Sequence, residues 1–124
     1  MMTTKEQRKI GSEALGRYGI EAQTLMLAEE MGELIKACNK LIRHKGKHDL
    51  KKFFELTGNL AEEIADVQIM IDQISLCWLG SELPNPNVAL IKQAKLERLK
   101  MRMEDEGKGE TCGSVDCVQN PKIW

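Results

Sequence analysis

Leu27-Ala28-Glu29-Glu30-Met31-Gly32-Glu33 recurs 33 residues later as Leu60-Ala61-Glu62-Glu63-Ile64-Ala65-Asp66. In helical form each copy places two carboxylates three residues apart, one turn along one face. The apolar residues around them set the phase. Leu27, Met31, Leu34, Cys38 and Leu41 recur at alternating steps of four and three, and so do Leu60, Ile64, Val67, Ile71, Ile74 and Trp78. Both runs are read as core seams of amphipathic helices. Glu30, Glu33, Glu63 and Asp66 each stand one position before a seam residue, which places them on the flank of the buried stripe. Glu29 and Glu62 fall nearly opposite the seams and are read as solvated.

One such acidic pair alone is ordinarily a solvated face. Two pairs in register with two seams predict that the helices lie side by side and bring four carboxylates together. At about 5 Å and an effective dielectric near 20, each like-charge pair costs on the order of 3 kcal/mol. A bound cation removes that repulsion, and an all-oxygen ligand set points to Mg²⁺, with Mn²⁺ as a substitute.

The rest of the chain is consistent with one all-α domain. It has 124 residues, 42% hydrophobic and 30% charged, with 4% aromatic and three prolines. A formal net charge of −1 gives no bulk attraction to nucleic acid or to a membrane. No apolar run reaches transmembrane length, and Met1–Ser12 lacks the apolar centre of a signal peptide. A cytoplasmic location is expected, with the four cysteines reduced and Cys38 and Cys77 as small core residues.

The pattern predicts a first helix over 4–18, ended by Gly19, and a second over 20–43. Arg43-His44-Lys45-Gly46-Lys47-His48 follows as a basic loop, read as a solvated turn or, less commonly, a loop that meets phosphates. A short helix over 49–56 is expected to break at Gly58. Asn59 would then cap a third helix reaching Leu79, with Glu62 three residues on. An antiparallel second and third helix would set all four acids level. The fourth helix is expected over 86–104, with Val88, Ile91, Leu99 and Met103 facing the core. Lys95, Arg98 and Arg102 step along it by three and four and either snorkel to water or hold an anionic ligand beside the metal. The domain is taken as 1–104, and 105–124 as a flexible, Gly-rich tail. Cys112 and Cys117 in that tail, with His44 and His48, give only a weak zinc-ligand spacing.

No GxxxxGK[ST], GxGxxG or GxSxG stretch is present, and neither histidine follows a Glu by three positions as a di-iron bundle would need. What remains is a carboxylate Mg²⁺ site in a helical bundle with cations nearby, the equipment of polyphosphate chemistry.

At this point the residues resemble a family. Glu30-x-x-Glu33 and Glu63-x-x-Asp66 look like the ExxE…ExxD signature of the all-α nucleoside-triphosphate pyrophosphohydrolases, and "EEMGELIKA" and "EEIADVQIMIDQ" read like their two metal-binding helices. Lys95-Leu96-Glu97-Arg98-Leu99 is similar to the basic segment of their last helix, although relatives often carry Asn where this chain has Glu97. The likeness spans about residues 18–103 and is nearest to the short MazG-like proteins. It implies that Glu30, Glu33, Glu63 and Asp66 ligate Mg²⁺, that Lys95 and Arg98 contact phosphate, and that the protein is a homo-oligomer.

The combined expectation is a four-helix-bundle-like protomer, at least dimeric, with two antiparallel acid-bearing helices. It would hydrolyse a nucleoside triphosphate to the monophosphate and pyrophosphate, with Glu29 or Glu30 as the base for the attacking water. Lys95, Arg98 and Arg102 would bind the substrate. The alternative from another class is a non-catalytic helical interaction module whose acids pair with the basic fourth helix.

Overall fold

Two long helices face each other because each carries a stripe at alternating steps of three and four, and a five-residue connection allows only an antiparallel return. They are α2 (Ile20–His44) and α3 (Leu50–Trp78), preceded by α1 (Thr4–Tyr18) and followed by α4 (Pro86–Gly107). This is a computed structural model, and it describes residues 1–107. The described residues are all-helical, with no strand. They form two units, Met1–Pro86 and the chain from Asn87 onward.

In the first unit α2 packs along α3, and α1 packs chiefly on α3. The antiparallel register is marked by a buried hydrogen bond in which Gln23 Nε2, near the start of α2, donates to Gln73 Oε1, near the end of α3. Each helix start has a chemical cause. Thr3 and Glu6 form a capping box at α1, Thr3 N–H donating to Glu6 Oε2 at 2.7 Å and Glu6 N–H to Thr3 Oγ1 at 3.3 Å. Asp49 Oδ1 accepts from Lys52 N–H at 3.0 Å and caps α3. Gly19, with φ 85° and ψ 155°, is the single residue between α1 and α2, a conformation open to glycine and strained for side-chain-bearing residues.

Three expectations are corrected. First, α3 is one continuous helix: Gly58 does not break it and Asn59 lies inside it. The Asp49 cap and flanking helix formers carry the helix through one glycine, which weakens it by about 1 kcal/mol without ending it. Gly58 is exposed, and a Cβ there meets nothing within 4 Å. Gly58→Ala is therefore expected to stabilise the protein by up to about 1 kcal/mol. Thermal unfolding followed by circular dichroism should show a midpoint several degrees higher.

Second, half of each inner seam is shifted by one position, while Leu27, Leu34 and Leu41 on α2 and Leu60, Val67 and Ile74 on α3 are withdrawn from solvent as expected. On α2 the residues withdrawn from solvent include Gln23, Leu27, Glu30, Leu34, Ala37, Leu41 and His44, whereas Met31 and Cys38 are exposed. On α3 they include Leu56, Leu60, Glu63, Val67, Met70 and Ile74, whereas Ile64, Ile71, Cys77 and Trp78 are exposed, Trp78 by 69%. Glu30 and Glu63 thus belong to the seam itself, not to its flank. Both helices are apolar on two sides. Ala37, only 2% exposed, and the polar Gln23, His44 and Gln73 disguise the side that is used.

Third, α4 extends past its expected end at residue 104 through Asp105–Gly107, and within the second unit Val88, Ile91 and Met103 are exposed. No residue of α4 is buried. Cys112 and Cys117 lie outside the described residues.

α1 approaches α3 closely at Gly11, where an added Cβ would come within 2.9 Å of Leu76 Cδ1. The buried apolar set of the unit is small, Ala37, Leu56, Val67 and Met70, and no large side chain is fully enclosed.

Candidate metal centre

The α2–α3 register brings together three of the four acids expected to converge. One carboxylate oxygen from each of Glu30, Glu63 and Asp66 lies within 4.8 Å of the other two. Glu30 projects from α2 and Glu63 from the facing stripe of α3, both half-buried, while Asp66 stands one turn further along α3 and is exposed. None of the three has an ion-pair partner among the described residues.

Glu33, the fourth expected ligand, is one turn beyond Glu30 and accepts a hydrogen bond from Lys36 Nζ at 3.1 Å. It is outside the convergent group in this arrangement. Glu29 is exposed, beside Glu30 in sequence but on another side of α2. Lys95, Arg98 and Arg102 are all exposed on α4, in the second unit.

Burial first, and then the negative charges of Asp66, Glu63, Glu29 and Glu33, hold the Glu30 carboxyl above its ordinary range. The folded chain therefore binds that proton more tightly than the unfolded chain does. Protonation of Glu30 favours folding, so its contribution to metal-free stability is present below the ordinary glutamate value and is lost as pH rises through the raised one. In EDTA, wild-type stability should decline across that window, and Glu30→Gln should flatten the slope. Denaturant melts at a series of pH values measure both. An identical slope in the two proteins would remove Glu30 from the repulsive cluster.

The donor set suits a hard divalent cation. It is all oxygen and anionic, its members repel one another, and no histidine or thiol belongs to it. Oxygens sharing one octahedral Mg²⁺ lie about 3–4 Å apart. Small side-chain rotations bring oxygens within 4.8 Å of one another to that spacing.

Several polar residues that line the hairpin interior are hard to find from sequence. Gln23, Gln73 and His44 are buried. The signal for Gln23 and His44 is their phase: they continue the Glu30 stripe at the same steps of three and four.

A scan of protein-family models, a search of curated proteins and a search of solved structures each find nothing that matches this chain. The likeness to the all-α pyrophosphohydrolases therefore rests on the acidic motifs and their spacing.

Proposed function

We propose that this protein is a Mg²⁺-dependent hydrolase that converts a nucleoside triphosphate to the monophosphate and pyrophosphate. The observation that carries the reading is the convergence of Glu30, Glu63 and Asp66 from two helices, none of them ion-paired with a Lys, Arg or His among the described residues. Like charges gathered at a helix interface are unfavourable unless a ligand repays the arrangement. The motifs that supply these residues are those of the resembling family, and Glu33 is its fourth ligand position.

When bound, Mg²⁺ (or Mn²⁺) supplies charge neutralisation for polyphosphate oxygens and acidifies water. The chain's own groups do the rest. Glu30, Glu63 and Asp66 hold the cation, with Glu33 available one turn away after release from Lys36. In this reading Glu29 or Glu30 is the base for the attacking water: Glu30 belongs to the convergent group, and Glu29 is exposed on another side of α2. Lys95, Arg98 and Arg102 are assigned to the phosphates on the family resemblance, as charge-assisted donors.

The reading includes a homo-oligomer in the cytoplasm. No helix among the described residues is long and apolar enough to cross a membrane. Leu25, Ile35 and Ile42 on α2 and Phe54, Ile71 and Trp78 on α3 are exposed. Burying each such side chain is worth roughly 1.5–3 kcal/mol, so a second copy that covers them adds the core this thin hairpin lacks. Light scattering at micromolar concentration should return at least twice the protomer mass of 14.0 kDa. A monomeric mass would contradict the assembly without touching the chemistry.

A further inference from the structure

The tip of the α2–α3 hairpin encloses a second polar feature that the metal reading does not use. An open cleft of about 1020 Å³ runs between the end of α2 and the start of α3. Lys40, Arg43 and His44 of α2 and Lys47 of the connection form one wall. The spacing of Lys40, Arg43, His44 and Lys47 is that of a single helical face continued into the loop.

Charge in the cleft is unevenly satisfied. Its acids are Asp49, Glu55 and Glu62. One of these is ion-paired, Glu55 accepting from Lys52 Nζ at 3.1 Å, while Asp49 accepts only the backbone N–H of Lys52 at 3.0 Å and keeps its charge. Asp49 and Glu62 remain against Lys40, Arg43 and Lys47, an excess of one positive charge, and none of these three cations has an ion-pair or hydrogen-bonded side-chain partner among the described residues.

His44 supplies the independent observation. The residue is 9% exposed, it lines the cleft, and its Nε2 is buried with no hydrogen-bond partner. Buried ring nitrogens are ordinarily paired, and an orphan at the wall of a cationic cleft signals a missing acceptor or donor. A phosphoryl oxygen accepts from Nε2–H while the flexible ammonium groups and the Arg43 fork close on the remaining oxygens.

We propose that this cleft is a metal-independent binding site for a phosphoryl anion, separate from the acidic centre. It lies on the same interhelical stripe as that centre, since Leu56 and Asn59 continue the positions of Glu63 and Asp66 toward the tip, and both line the cleft. Lys40 is ten residues from Glu30, about 15 Å along α2, too far for one phosphate group to touch both.

The test uses the full chain in EDTA with pyrophosphate as the probe, followed by calorimetry and by the His44 imidazole resonances, in about 0.15 M salt so that diffuse attraction is screened. One saturable site is expected, with the His44 signals shifting along the same isotherm. Arg43→Ala and Lys40→Ala, both at exposed positions, should each weaken binding at least about fivefold, the loss of one charge-assisted contact. Lys92→Ala on α4 should leave it unchanged. Absence of binding at millimolar pyrophosphate, or wild-type affinity in Arg43→Ala and Lys40→Ala, overturns the proposal. Loss of binding in Lys92→Ala does so too, by making the attraction a general one of surface lysines. Because metal is absent throughout, none of these results depends on whether the protein hydrolyses a nucleotide.

Discussion

Asp66→Asn is expected to abolish pyrophosphate release, by about a hundredfold or more, because an amide oxygen would replace one of the three anionic donors proposed to hold the cation. The assay presents the common nucleoside triphosphates and several modified ones with Mg²⁺ and detects pyrophosphate directly. Monophosphate and intact pyrophosphate should form together, whereas stepwise loss of orthophosphate would mean a different reaction. Glu30→Gln and Glu63→Gln should match Asp66→Asn. Glu33→Gln separates two versions of the site. If Glu33 completes the ligand set, as the family resemblance implies, activity falls as far as in Asp66→Asn. If it stays with Lys36, the fall is smaller. Lys95→Ala, acting through phosphate binding, should leave more activity than Asp66→Asn but lose more than Lys52→Ala. If no nucleotide yields pyrophosphate above the Asp66→Asn background, the helical interaction module replaces the enzyme.

Mg²⁺ is expected to raise the melting temperature of the wild-type protein and to do far less for Glu63→Gln. Binding to the native state alone contributes about 2.7 kcal/mol at a hundredfold excess over the dissociation constant, a shift of many degrees for a domain of this size. In EDTA the order reverses. Removing the Glu63 charge relieves its repulsion on Glu30, so the variant should be at least as stable as wild type. Calorimetric or fluorescence melts with EDTA and then with Mg²⁺ give both halves. An equal Mg²⁺ shift in the two proteins would take Glu63 out of the site, and a metal-free variant much less stable than wild type would make Glu63 a structural residue.

The two predictions differ in what they need from the fold. Loss of activity requires only that Asp66 reach the cation. The reversed stabilities require that Glu30 and Glu63 be close before metal arrives, a property of the hairpin register that the Gln23–Gln73 bond helps to fix.

The sequence by itself determined the helical class, the bounds of α1 and α2 to within a residue, and the candidate acids. Those features are local: helix periodicity, the Gly19 stop and the i,i+3 spacing of carboxylates need no partner. It misjudged Gly58, because one unfavourable residue is outweighed by a long run of good neighbours. What only the tertiary structure decided is which of two apolar sides of α2 and α3 turns inward. Met31, Cys38, Ile64 and Trp78 fit the period as well as the residues that are actually withdrawn, and a strip carrying Gln23, Glu30 and His44 looks polar until its partner is seen. Hydrophobic burial is non-directional, so it rewards either side. The side that is used is the one on which Ala37 is buried and Gln23 is satisfied against Gln73, a pairing between residues far apart in the chain that no local pattern records.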